Sequence, residues 1–120
     1  MQTILVVDDE VNFIKLYEMD LGVEGYNVRS AESGEAAVES VMAEMPDLVV
    51  LDIKMTGMDG LETLNELKRI NKDLPIILST AYSSYKSNFV TWLADAYIVK
   101  SADMSELKQT IKELLELQRV

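Results

Sequence analysis

Four short apolar runs punctuate the chain: Ile4-Leu5-Val6-Val7, Leu48-Val49-Val50-Leu51, Ile76-Ile77-Leu78 and Tyr97-Ile98-Val99. Runs of this length, β-branched and without polar alternation, suit strands covered on both faces, as in a parallel sheet. A fifth segment, Tyr26-Asn27-Val28-Arg29, alternates instead and suits a half-exposed edge strand. Between these runs the apolar spacing turns helical. Ile14, Tyr17 and Leu21 mark one helix, Val38, Val41, Met42 and Met45 a second, and Leu61, Leu64 and Leu67 a third. A last helix, from Asp103 to about Gln118, carries Leu107, Ile111, Leu114 and Leu115 on one face. The stretch from Ser83 to Leu93 is the least patterned, its apolar residues Phe89, Val90, Trp92 and Leu93 crowding one end. Turn residues separate the units: Gly22 and Gly25, Pro46-Asp47, Gly57 through Gly60, and Pro75.

Five β/α units in a chain of this size are too few to close an eight-stranded barrel. The expected fold is α/β: an open, doubly wound five-stranded parallel sheet in order 2-1-3-4-5, of the flavodoxin-like (βα)5 kind. No repeat, linker or low-complexity segment interrupts it, so residues 1–120 are expected to form one domain.

Composition then narrows the chemistry. The chain has 21 acidic and 11 basic residues, net charge −10, no Cys and no His. The excess is local: residues 1–60 hold 13 acids and 3 bases, whereas residues 61–120 hold 8 of each. An anionic surface argues against direct contact with nucleic acid or an anionic membrane. Without Cys or His there are no thiol nucleophiles, disulfides, Cys/His zinc sites or Ser-His-Asp triads. A disulfide-free chain with no signal-peptide pattern and no long apolar run is expected in the cytoplasm.

In open α/β sheets a ligand crevice lies beyond the carboxyl ends of the strands, where the strand order reverses. That point falls between the first and third strands, which end in Asp8-Asp9-Glu10 and Asp52. Neighbouring strands lie about 4.8 Å apart, so Asp8, Asp9 and Asp52 should converge. Thr80 and Lys100 end the fourth and fifth strands on the same rim. Three carboxylates at that range repel, and a divalent cation together with Lys100 would neutralise them. Oxygen-only ligands select a hard ion, and magnesium is the natural choice. Beside such an ion a carboxylate can attack phosphorus, and Asp52 is then the expected nucleophile.

These segments resemble one family closely. Val6-Val7-Asp8-Asp9-Glu10, Leu51-Asp52-Ile53-Lys54-Met55, Gly57-Met58-Asp59-Gly60-Leu61, Leu78-Ser79-Thr80-Ala81 and Asp95-Ala96-Tyr97-Ile98-Val99-Lys100 resemble, in order and over essentially the whole chain, the receiver domains of two-component response regulators, which are CheY-like. The resemblance implies magnesium-dependent phosphoryl transfer from a histidine kinase or phosphotransfer protein to Asp52. It implies that Asp9 and Asp52 ligate magnesium, with Asp8 assisting and Lys54 lending its backbone carbonyl. Thr80 would be the hydroxyl that moves to the phosphoryl group, Lys100 the ammonium that pairs with acceptor and phosphate, and Tyr97 the aromatic that follows Thr80. The outcome would be a conformational switch read by a downstream protein or output domain, with phosphorylation-dependent dimerisation as one form of output. The domain would not be an enzyme beyond its own phosphorylation and dephosphorylation.

Three positions depart from that pattern. Ser101 stands where a proline usually follows the lysine and Leu93 where a glycine commonly ends the fourth helix; Thr56 replaces a frequent proline. The lysine loop is therefore expected to be trans and looser, and the fourth helix to need another cap. Asp9 also suits the N-cap of the first helix. Tyr82, Tyr85 and Trp92 suit either packing or a partner surface. Lys54 and Tyr82 stand close enough to the site to tune hydrolysis. An alternative is a haloacid-dehalogenase-type phosphatase, which also uses Asp, Thr, Lys and magnesium; its second Asp lies two residues after the first, and here Asp9 follows Asp8 directly. A flavodoxin-like cofactor carrier needs a Gly/Ser/Thr phosphate cradle that the first turn lacks.

Overall fold

A computed structural model describes residues 1–82, 84, 88–101 and 103–117. Five strands, β1 (Thr3–Val7), β2 (Asn27–Ala31), β3 (Leu48–Leu51), β4 (Ile76–Thr80) and β5 (Ala96–Val99), form one parallel sheet in the order β2-β1-β3-β4-β5. Helices α1 (Val11–Val23), α2 (Gly34–Ala43), α3 (Gly60–Ile70) and α4 (Ser105–Leu117) cover it, and a short 3-10 segment, Phe89–Leu93, lies in the fourth crossover. This is the expected doubly wound topology.

Strand alternation sorts the apolar runs into two cores. Leu5, Val7, Val49, Leu51, Ile76 and Leu78 face α2 and α3, while Ile4, Val6, Leu48, Val50, Ile77 and Ile98 face α1 and α4. Continuous hydrophobicity is thus what a sheet buried on both sides demands. Burying each of these side chains is worth about 1.5–3 kcal/mol. The alternating segment became β2, displaced slightly to Asn27–Ala31; it is one of the two edge strands, with Asn27 and Ser30 exposed, Val28 and Arg29 half-buried and Ala31 buried.

The helices follow their patterns except at α2. Ile14, Tyr17 and Leu21 in α1, Leu64 and Leu67 in α3, and Leu107, Ile111 and Leu115 in α4 point inward, with Leu114 half-buried. In α2 the inward face is Gly34, Ala37 and Val41, whereas Met42 and Met45 are exposed. The reason is volume: a Cβ on Gly34 would strike the Thr63 hydroxyl, so α2 lies too close to α3 for large residues on that face. Local side chains start two of the helices. Ser33 accepts the Ala36 N–H at 3.1 Å and Asp59 accepts the Glu62 N–H at 2.9 Å, each satisfying an orphan donor of the first turn. Helix α1 differs: its N-cap is Glu10, which makes no side-chain cap bond, so Asp9 is not its cap.

The fourth crossover contains no α-helix among the described residues. Asn88 accepts the Val90 N–H at 2.9 Å and the Thr91 hydroxyl donates to the Asn88 carbonyl at 2.6 Å, closing a tight turn. Phe89, Trp92 and Leu93, spaced i, i+3 and i+4, lie on the outward side of this turn and remain exposed, while Val90 packs inward. Ala94 follows in extended backbone, its N–H donating to the Thr91 carbonyl at 3.0 Å, so Leu93 does not require the left-handed cap that glycine supplies. Ser83 and Tyr85 lie outside the described residues, as does Gln118.

Candidate functional site

The parallel ladder continues one step past the strand ends, and that step places the site. Opposing pairs Val7 with Leu51 and Thr80 with Val99 close the registers. The Asp8 N–H then donates to the Ala31 carbonyl at 3.1 Å, the Asp52 N–H to the Val7 carbonyl at 2.9 Å, and the Lys100 N–H to the Thr80 carbonyl at 2.7 Å. Three chemically active residues are therefore held by backbone bonds at the carboxyl edge of the sheet.

Their side chains meet. Asp8, Asp9 and Asp52 each bring a carboxylate oxygen within 4.8 Å of the others. Lys100 Nζ lies 2.6 Å from Asp8 Oδ2 and 3.5 Å from Asp52 Oδ2. Asp8 and Asp52 are buried, at 1% and 6% exposure, and the Lys100 side chain is 6% exposed. The other Asp8 oxygen accepts the Glu10 N–H at 2.9 Å, and Asp9 Oδ2 accepts the Thr56 N–H at 3.2 Å. Asp9 is thus tied to the loop after β3 and does not take up the alternative role of capping α1. A cleft of about 330 Å³ opens over this cluster, lined by Asp9, Glu10, Asp52, Lys54, Ala81, Tyr82 and Lys100.

Burial pushes the Asp52 carboxyl up to about 6, with Lys100 pulling it down and Asp8 adding to the rise. Burial alone would lower Lys100, but its hydrogen bond to Asp8 and the charges of Asp52 and Asp8 outweigh that and raise it. One ammonium among three carboxylates leaves a formal charge of −2 at neutral pH. A hard divalent cation matches that deficit, and the oxygen-only donors suit magnesium.

The remaining predicted residues flank the cleft. Thr80 is fully buried, and its hydroxyl accepts the Tyr82 N–H at 3.3 Å. The Tyr97 hydroxyl donates to the Tyr82 carbonyl at 2.5 Å. Thr80 and Tyr97 therefore hold the two sides of one peptide segment rather than touching the carboxylates. Lys54 places Nζ 5.2 Å from the centre of the Tyr82 ring, which is half-exposed at the mouth of the cleft. The Lys100-Ser101 peptide bond is trans, and the loop starts from an anchored residue: Ser101 Oγ accepts the Asp103 N–H at 3.0 Å.

Two residues that shape the site were not anticipated. A Cβ on Gly60 would collide with the Asp52 carbonyl and Ile53 Cα, and the Gly60 N–H donates to the Ile53 carbonyl at 2.6 Å. A glycine at the first position of a well-capped helix is the signal that could have revealed this close approach. Phe13 lies with its ring centre 4.1 Å from Lys100 Nζ. No spacing rule connects residues so far apart in the chain.

An open doubly wound sheet bearing an acidic triad, two of its carboxylates buried, and a lysine at its switch point defines a class of α/β protein suited to hold a hard cation. Comparison with known proteins identifies which. The sequence model of the response regulator receiver domain matches residues 4–112, and the chain belongs to that family. It is 38% identical over 114 residues to the transcriptional regulatory protein ZraR of Escherichia coli, covering 93% of this chain and 26% of ZraR. The curated relatives it matches are thus longer than this chain, which spans between about a quarter and a half of their length. Among solved structures, the response regulator protein TrrA from Thermotoga maritima in complex with Mg(2+)-BeF superimposes with a TM-score of 0.93 at 47% identity, over 95% of this chain and 99% of TrrA. TrrA in complex with the histidine kinase ThkA gives a TM-score of 0.91 at 48% identity, over 96% of this chain and 99% of TrrA. Among the described residues, no helix is long and apolar enough to cross a membrane.

Proposed function

We propose that residues 1–120 act as one phosphoacceptor unit. Asp52 takes a phosphoryl group from the phosphohistidine of a sensor histidine kinase or phosphotransfer protein, and a downstream protein or output domain reads the change. The observation that carries this reading is the convergence of Asp8, Asp9, Asp52 and Lys100 at one rim of the sheet. That TrrA forms complexes with Mg(2+)-BeF and with ThkA supports both the ion and the donor.

In the transfer an Asp52 carboxylate oxygen bonds to phosphorus as the donor's P–N bond breaks, its electron pair leaving with the imidazole. The carboxylates of Asp8, Asp9 and Asp52 and the backbone carbonyl of Lys54 would hold magnesium, which when bound neutralises charge on the transferring oxygens. Lys100 pairs with Asp8 before transfer and needs to move by only about 1 Å to reach hydrogen-bond range of Asp52. The Thr80 hydroxyl, drawn to a phosphoryl oxygen, gives up the Tyr82 N–H; Tyr97, bonded to the Tyr82 carbonyl, follows. Phosphorylation thereby converts a charge of about −1.5 to −2 on Asp52 into a movement of the fourth crossover.

The chemistry is self-catalysed transfer followed by self-catalysed hydrolysis, the work of a signalling domain in the cytoplasm and not of a turnover enzyme. Its partners are proteins; the domain itself contacts neither nucleic acid nor membrane, and dimerisation on phosphorylation is one route to output. Incubation with magnesium and acetyl phosphate is expected to give a hydroxylamine-labile adduct on Asp52. Equal labelling of Asp52→Asn would overturn the assignment.

A further inference from the structure

Phe13 takes no part in the transfer just described, yet its ring centre lies 4.1 Å from the Lys100 ammonium. An ammonium has three donors and no acceptor. Here Asp8 Oδ2 takes one at 2.6 Å, Asp52 Oδ2 stands off at 3.5 Å, and the Phe13 ring occupies a further side. Because the Lys100 side chain is 6% exposed, little water competes for that side. The ring is itself held in place. Phe13 is half-buried against the core and sits one turn before Tyr17, ring centres 6.2 Å apart. Tyr17 is buried and its hydroxyl shares a hydrogen bond of 3.0 Å with Ser79 Oγ on β4.

A cation over an aromatic face is attracted at any point within about 6 Å of the ring centre, most strongly where water is excluded. A hydrogen bond to Asp8 has a sharp distance optimum; the ring face does not. With Asp8 alone the ammonium would be fixed at the distance optimum of that bond, 2.6 Å from Asp8 and 3.5 Å from Asp52. With the ring beside it, the ammonium can travel the short distance to Asp52 without leaving a favourable environment. We infer that Phe13 is a positioning residue for Lys100, its ring face holding the ammonium within reach of both Asp8 and the Asp52 phosphoryl group. This rests on the phosphoacceptor reading for its consequence, though not for the contact itself.

Two measurements on the full chain test it. In the metal-free protein the Lys100 ε-methylene resonances should be displaced by the ring in the parent and return to ordinary lysine positions in Phe13→Leu. Labelling of Asp52 by acetyl phosphate with magnesium should slow about tenfold in Phe13→Leu and stay near the parent rate in Phe13→Tyr. Should Phe13→Leu fold poorly, 3,4,5-trifluorophenylalanine at position 13 keeps the ring's shape while draining its face. It should slow labelling several-fold with melting temperature unchanged. Lys100 resonances that keep their parent positions in Phe13→Leu, or parent-rate labelling with the trifluoro ring, would overturn the inference. If the parent itself is not labelled on Asp52, the phosphoacceptor reading fails, and the resonances still decide whether Phe13 holds Lys100.

Discussion

The rim over β1 and β3 and the crossover between β4 and β5 handle difficult side chains in opposite ways. At the rim, two carboxylates and a lysine are buried, each with a partner, and no described buried side-chain polar atom lacks a hydrogen bond. At the crossover, Phe89 and Trp92 meet edge-to-face with ring centres 4.9 Å apart while remaining 76% and 70% exposed. The rim accepts an electrostatic cost to place groups for chemistry. The crossover leaves the apolar surface of Phe89, Trp92 and Leu93 uncovered. Tyr82 lies between the two regions, its N–H donating to the Thr80 hydroxyl and its carbonyl accepting from the Tyr97 hydroxyl.

The sharpest way to break this contrast is to remove the acceptor. Asp52→Asn is expected to abolish labelling by acetyl phosphate, with at least a hundredfold loss measured by phosphoprotein mass spectrometry. Next is the backbone beneath it. Gly60→Ala forces a Cβ into the Asp52 carbonyl and should cost about 3 kcal/mol in urea unfolding while displacing the acceptor.

A pH series isolates the electrostatic cost. Asp52 is raised from 3.8 to about 6 by burial, so its protonated form is favoured in the folded state and its stabilising contribution is complete below about pH 4. That contribution falls as pH rises through 6, leaving the metal-free protein destabilised by up to about 3 kcal/mol at pH 7. Unfolding between pH 4 and 8 should show this decline in the parent, and Asp52→Asn or saturating magnesium should flatten it. A parent curve without the decline would mean that Lys100 compensates Asp52 completely. The smallest effect is expected at the crossover. Trp92→Ala removes an exposed ring and its edge contact with Phe89, and should change unfolding free energy by less than about 1 kcal/mol. A larger loss would show that this segment is packed more firmly than its exposure indicates.

Much of this was legible in the chain. Apolar runs of Leu48–Leu51 type declare a sheet buried on both sides, because only such a strand can omit polar alternation. Asp8, Asp9, Asp52, Thr80 and Lys100 stand at strand ends, so topology alone brings them to one rim. Volume was harder to read than hydropathy: Met42 and Met45 look like a core face, but the close approach of α2 to α3 admits only Gly34, Ala37 and Val41. Asp9 suits a helix cap when read locally, but in the fold it accepts from the Thr56 N–H, 47 residues away.

The sequence by itself determined the sheet, its two-sided burial and the gathering of an acidic triad with a lysine, because strand period and strand-end position are local properties that topology carries into space. The tertiary structure alone decided which partner each group takes: Lys100 on Asp8 and the Phe13 ring, Thr80 turned to Tyr82, Gly60 pressed against the Asp52 backbone. Those choices follow from distances of a few ångströms between residues as many as 92 positions apart, and packing, not pattern, sets such distances.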